Sequence, residues 1–84
     1  LDSPFFFQAT TYWSEGDERE HFGWLARIPC IRDVRGIGDR LFLDVDRDSV
    51  TAADVRELNA IYRRYGGDLE QLKALKESAN APNH

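Results

Sequence analysis

The hydrophobic pattern changes period several times along the 84 residues. From Phe5 to Trp13 the chain is rich in aromatic residues and Thr, which predicts a strand over 5–13. Ser14-Glu15-Gly16-Asp17 then reads as a helix entry, with Ser14 as N-cap and Asp17 three residues on. The helix is expected to run to about Ile28, with Phe22, Leu25 and Ile28 on one face and Trp24 beside them. Gly23 weakens it mildly, and Pro29 ends it, because proline pushes the residue before it out of the α region. A weaker strand follows over 30–36, then a turn at Gly36-Ile37-Gly38-Asp39. The best strand is 40–45, where Leu41, Leu43 and Val45 alternate with Phe42 and Asp44, so the two strands read as a hairpin.

The second helix has the clearest start. Thr51 can cap it, Asp54 sits at its third position, and Val50 and Val55 occupy the hydrophobic-staple positions. Val55, Leu58, Ile61, Tyr62 and Tyr65 form its apolar stripe, and Gly66-Gly67 closes it. Asp68 caps a third, shorter helix, with Gln71 at the capping-box position and Leu69, Leu72 and Leu75 on the apolar face. The pattern predicts one α+β domain over 1–77, in the order β-α-β-β-α-α, and a flexible C-terminal tail over 78–84. The third strand is the most apolar and belongs in the centre, and a right-handed crossover places strand one on its far side from strand two. The expected product is a three-stranded antiparallel sheet in the order 1-3-2 with helices packed on one face, and Leu41, Leu43, Leu58 and Ile61 in the core.

Composition narrows the function classes. A chain of this length hides only about 60% of its extended surface, so the five Phe, three Tyr and two Trp matter. The formal net charge of −4 argues against direct binding of nucleic acid, which needs basic surface, and favours a basic protein partner. No stretch reaches the ~20 apolar residues of a membrane span, so no membrane partner is expected. One cysteine, Cys30, forms no disulfide within the chain. Phe5-Phe6-Phe7 is short for a secretory signal and has no basic leader, and a cytoplasmic location is expected. The chain opens on Leu1 and holds no Met, read as a missing or replaced start residue.

Candidate chemistry is sparse. Asp44-Val45-Asp46-Arg47-Asp48 opens like a calcium loop, with Asp44, Asp46 and Asp48 at ligand positions. The glycine position is Ser49, the last ligand position is Val55, and a strand precedes the run, so no metal site is expected. His21, His84 and Cys30 lack zinc spacing. A Cys30–His21 nucleophile pair is conceivable, but a lone Cys after Pro29 reads as a small buried hydrophobe. Glu18 and Glu20 read as ordinary surface carboxylates, and Gly36-x-Gly38 is no phosphate-binding signature. Arg32, Arg35 and Arg40 surround the hairpin, and Arg63-Arg64 suits a helix C-terminus. No catalytic residue, cofactor or enzymatic activity is expected.

Two acidic clusters stand out. Glu15, Asp17, Glu18 and Glu20 surround Arg19, next to Tyr12 and Trp13, while Asp44, Asp46, Asp48 and Asp54 surround Arg47. Both lie at helix entries, where anions are favoured in any case. Aromatic anchors ringed by acids also suit an interface with a basic protein. The candidate partner-binding residues are therefore Tyr12, Trp13, Glu15, Asp17, Glu18, Asp44, Asp46 and Asp48, with the second cluster expected to matter more.

The run from Arg56 through Tyr62-Arg63-Arg64-Tyr65-Gly66-Gly67-Asp68 to Leu72, with Ser14-Glu15-Gly16-Asp17-Glu18 and Trp24-Leu25 upstream, resembles small bacterial proteins of uncharacterised type. Some of these look like immunity proteins of contact-dependent growth-inhibition and related toxin systems. The likeness spans about residues 12–75 and is one of size, acidity and helical ending, so it transfers no named residues. It implies a non-enzymatic inhibitor that binds a cognate toxin tightly, often a nuclease with a basic cleft. The alternative is a small homo-oligomeric structural or adaptor domain that uses the Tyr62/Tyr65 helix face. A third reading, a nucleic-acid accessory protein, would rest on the arginines.

Overall fold

The computed structural model describes residues 3–80. It runs β1 (Phe6–Gln8), α1 (Glu15–Ala26), β2 (Ile31–Ile37), β3 (Arg40–Val45), α2 (Ala52–Tyr65) and α3 (Lys73–Asn80). Short 3-10 turns, Arg47–Ser49 and Leu69–Leu72, lead into α2 and α3. The strands form an antiparallel sheet in the order β1-β3-β2, so the architecture is the small α+β fold read from the pattern.

Register decides which side of the sheet becomes the core. Phe7 pairs with Leu41, and Leu43 lies between Phe5 and Val34, which puts these side chains on the face beneath the helices. Phe5, Phe7, Leu41 and Leu43 are buried there against Leu25, Leu58, Ile61, Tyr62, Leu72 and Leu75. The neighbours in register, Phe6, Phe42, Arg35 and Arg40, share the opposite face, where the Phe6 and Phe42 rings lie 5.6 Å apart and the Arg40 guanidinium sits over Phe6.

The helix ends follow their local chemistry. Ser14 Oγ accepts the Asp17 N–H at 3.1 Å, satisfying a donor that the first turn of α1 leaves open. At α2, Thr51 Oγ1 accepts the Asp54 N–H and Asp54 Oδ2 accepts the Thr51 N–H, a reciprocal capping box. The two glycines after α2 act differently. Gly66 takes φ 77°, the left-handed cap conformation. Gly67 instead lets the chain press against the core: a Cβ there would lie 2.5 Å from Tyr62 Cδ2 and 2.8 Å from Phe7 Cε1.

Several sequence expectations are corrected. The strand predicted over 5–13 stops at Gln8, because Ala9 adopts φ 53° and turns the chain out of the sheet. Phe22 does not share the buried face of α1: that face carries His21 and Leu25, four residues apart, and Phe22 is turned to one side and 38% exposed. Tyr62 and Tyr65 are buried, so this face of α2 is not open to a second copy. Gln71 does not complete a capping box. Its Oε1 accepts the Phe6 N–H at 2.9 Å and the Tyr62 hydroxyl at 3.0 Å, tying the β1 edge to α2. Helix α3 continues to Asn80, past the start of the predicted tail, and positions 81–84 lie outside the described residues.

Two stability measurements check this packing. Leu43→Ala should cost about 2–5 kcal/mol in urea unfolding, and an unchanged midpoint would mean that the β3 register is wrong. Gly67→Ala should cost about 1–3 kcal/mol through overpacking, against about 1 kcal/mol for Gly66→Ala through backbone strain. A harmless Gly67→Ala would contradict the close approach of this backbone to Tyr62.

Candidate functional site

The turn at Ala9 carries Tyr12 and Trp13 to the start of α1. Asp17, in the first turn, organises this end: its Oδ2 accepts the Trp13 N–H at 3.2 Å and its Oδ1 lies 3.8 Å from Arg64 Nη2 in the last turn of α2. At the other end of the helix, Trp24 Nε1 donates to Glu57 Oε1 at 2.8 Å, so α1 and α2 run antiparallel. The backbone of Trp13 is thus held while its indole projects, 91% exposed. Glu15 and Glu18 are exposed beside it and make no ion pair among the described residues.

Behind this surface lies a buried imidazole. His21 stacks on Tyr65, with ring centroids 3.9 Å apart and planes 13° off parallel, and meets Phe7 edge-on at 4.5 Å. Its Nδ1 is 2.7 Å from the Tyr12 hydroxyl, while its Nε2 is buried without a partner among the described residues. Burial drives the His21 pKa down to about 4, and the nearby Asp17 charge opposes this only in part. The Tyr12 phenol is pushed up to about 12, first by burial and then by Glu18, Tyr65 and Asp17. Both groups are therefore neutral at pH 7. Tyr12, read from sequence as a free anchor, is instead a half-buried strut.

The eight candidate contact residues fall into two groups. Tyr12, Trp13, Glu15, Asp17 and Glu18 lie at the start of α1. Asp44, Asp46 and Asp48 lie beyond its other end, where the Asp46 N–H donates to the Cys30 carbonyl at 2.8 Å. A 12-residue helix rises roughly 18 Å, so the groups do not form one patch. The second group is also engaged internally: Asp44 lies 3.7 Å from Arg32, and Asp46 Oδ1 accepts the Asp48 N–H at 3.2 Å. Among the described residues no three His, Cys, Asp or Glu side chains converge as a metal site requires. Cys30 is buried, and burial, with the adjacent Asp54 carboxylate, pushes its thiol up to about 12, so it is a thiol at neutral pH. It lies at the opposite end of α1 from His21's partner Tyr12, and the two do not form a nucleophile–base pair.

Sequence reading missed a groove between α1 and β2. Two cavities flank the Phe22 ring. One, of about 290 Å³, is lined by residues including Tyr12, Glu18, Gly36 and Leu41. The other, of about 340 Å³, is lined by Ala26, Ile31, Arg32, Asp33 and Val34 as well as Phe22. A third, near 450 Å³, lies among Glu15, Glu18, Arg19 and Phe22. The periodicity assigned Phe22 to the core, and only the helix rotation set by His21 brings it to this groove.

No protein-family model, no curated protein and no solved structure matches the chain. Among the described residues no helix is long and apolar enough to cross a membrane.

The His21 shift has a definite sign. The folded pKa, about 4, lies below the usual 6.5, so the unfolded chain binds the proton more readily between these values. The contribution is fully present above pH 6.5 and is lost as pH falls toward 4. Unfolding free energy should drop by about 2 kcal/mol between pH 7 and 5 from this group. An NMR titration should place the His21 midpoint near 4; a midpoint near 6.5 would contradict its burial as a neutral group.

Proposed function

We propose that this chain is a non-enzymatic immunity-type protein that neutralises a cognate protein toxin, a nuclease domain with a basic cleft, inside the cytoplasm that makes both. The observation that carries this reading is the start of α1. An indole stands 91% exposed on a backbone fixed by Asp17, beside the exposed Glu15 and Glu18. An aromatic anchor on a tethered backbone, beside carboxylates that make no ion pair among the described residues, suits a basic protein surface: the acids steer encounter, and the anchor slows release. The net charge of −4 acts in the same direction over longer range. Because Asp44 and Asp46 already have internal partners, the α1 cluster is assigned the larger share of recognition, and Asp44, Asp46 and Asp48 the smaller. The alternative of an adaptor that self-associates through Tyr62 and Tyr65 has less support, since both rings lie in the core.

The test begins in cells. The toxin would be the variable C-terminal domain of a large secreted protein encoded immediately upstream, and co-expression of this chain should restore growth to cells producing that domain. Continued growth arrest, with both proteins made, would reject the reading. With the purified pair, Trp13→Ala should weaken binding by about 2 kcal/mol or more, chiefly through faster dissociation. Its thermal midpoint should stay unchanged, as the indole is exposed. Glu15→Gln/Glu18→Gln should slow association and flatten its salt dependence, whereas Asp46→Asn/Asp48→Asn should do less. An affinity indifferent to Trp13, to the α1 acids and to salt would remove this surface from the interface.

A further inference from the structure

The two edges of the sheet are treated differently. Leu43 N–H donates to the Phe5 carbonyl and Ala9 N–H to the Asp39 carbonyl, so Leu41 and Leu43 turn their backbone groups toward β1. The alternate residues of β3, Arg40, Phe42 and Asp44, face β2 and meet Ile37, Arg35 and Asp33. By the same alternation, Phe6 and Gln8 present their N–H groups at the β1 edge, and Val34 and Gly36 present theirs at the β2 edge. At the first edge Gln71, from another element, takes the Phe6 N–H, and the strand ends at Gln8. At the second, the Val34 N–H has only the side chain of its neighbour Asp33, at 2.9 Å, and no other element bonds to Val34 or Gly36 there among the described residues. A Cβ built on Gly36 would touch nothing within 4 Å, so backbone can approach it closely.

Beneath this open edge lie the two cavities flanking Phe22. Side chains on an extended strand alternate between its two faces, so every second one on a strand beside β2 would drop toward these cavities. The charges around the groove set what those strands carry. Glu15, Glu18 and Asp39 make no ion pair among the described residues. Of the cations near them, Arg32 is paired with Asp44 and Arg35 with Asp33, which leaves Arg19 and Arg40, the latter held over Phe6 on the other face of the sheet, against the three carboxylates.

We propose that the free edge of β2 and the Phe22 groove receive an extended segment of the partner as a fourth strand, one that alternates apolar residues with Lys or Arg. This rests on the reading that the chain binds a basic protein, and it names the mode: main-chain hydrogen bonds to Gly36 and Val34 supply attachment, and the groove and its acids supply selection. The Asp33 carboxylate on the Val34 N–H guards the edge in the free protein and gives way to the incoming carbonyl.

The test uses the whole chain, labelled for NMR, and a blocked octapeptide alternating valine and lysine. Saturable shifts are expected at Phe22, Val34 and Gly36, with the Gly36 amide slowed in exchange. A valine–glutamate octapeptide should give none. Gly36→Pro should abolish the shifts without lowering the thermal midpoint, because the N–H it removes points away from the ladder. Should that variant unfold, Glu15→Gln/Glu18→Gln, both at exposed positions, should weaken the lysine peptide while the fold is retained. Shifts confined to Trp13 and Glu15, shifts on Phe6 and Phe42, an equal response to the glutamate peptide, or no saturable shift would each overturn the proposal. So would concentration-dependent β2 shifts without peptide, which would mean that a second copy closes the edge. A peptide that leaves β2 untouched while co-expression still protects cells removes the strand-addition mode alone and leaves the immunity reading standing.

Discussion

A neutral imidazole holds α1 to the rest of the molecule. The helix buries only His21 and Leu25, and it contains Gly16 and Gly23, both poor helix formers. His21 touches Phe7 of β1, Tyr65 of α2 and Tyr12 in the loop before the helix, so one side chain joins three separate segments. Its ring also fixes the rotation of α1. With His21 inward, Phe22 falls toward β2, and Glu15 and Glu18 are left on the surface beside Trp13. The acidic turn and one wall of the groove therefore both depend on an uncharged histidine, and the unpartnered Nε2 is the cost of placing a polar ring there.

The molecule divides into a firmly packed half and a working half. Leu43, Leu58, Ile61, Tyr62 and Leu75 are fully buried, and Gln71 fastens β1 to α2, so β1, β3, α2 and α3 form the stable body. On the other side, β2 is exposed along most of its length and α1 has a narrow buried stripe. Segments with few buried apolar contacts open at lower free energy than the core, and α1 is the clearest such segment, since β2 is paired with β3 along its length. Acid should loosen the same half first, because the proton that enters His21 enters the joint between α1 and the body.

The fold was largely legible because local and global signals agree. Thr51 and Asp54 cap α2 as their spacing suggests, the alternation of Leu41 and Leu43 sets the central strand, and the crossover rule orders the sheet. The site was much less legible. Periodicity alone could not tell whether His21 or Phe22 faced inward, since adjacent positions on a helix differ by about 100° and the choice came from ring packing against Tyr65 and Phe7. Nothing in Thr-rich residues 9–13 signalled that Ala9 would take a positive φ and carry Trp13 away from the sheet. The two acidic clusters looked alike in sequence, and only tertiary contacts separated the one whose glutamates make no ion pair among the described residues from the one tied to Arg32 and to its own backbone.

Recognition is proposed to use the side of the molecule formed by the start of α1 and the edge of β2. Hydrogen exchange on the whole chain, free and saturated with the proposed toxin domain, is the closest test. New protection is expected at Gly36 and Val34 and in the first turn of α1, with little change at Asp44–Asp48 or beside Phe6 and Phe42. Protection gained instead around Asp46 and Asp48 or on the Phe6/Phe42 face, with β2 exchanging as freely as before, would contradict it.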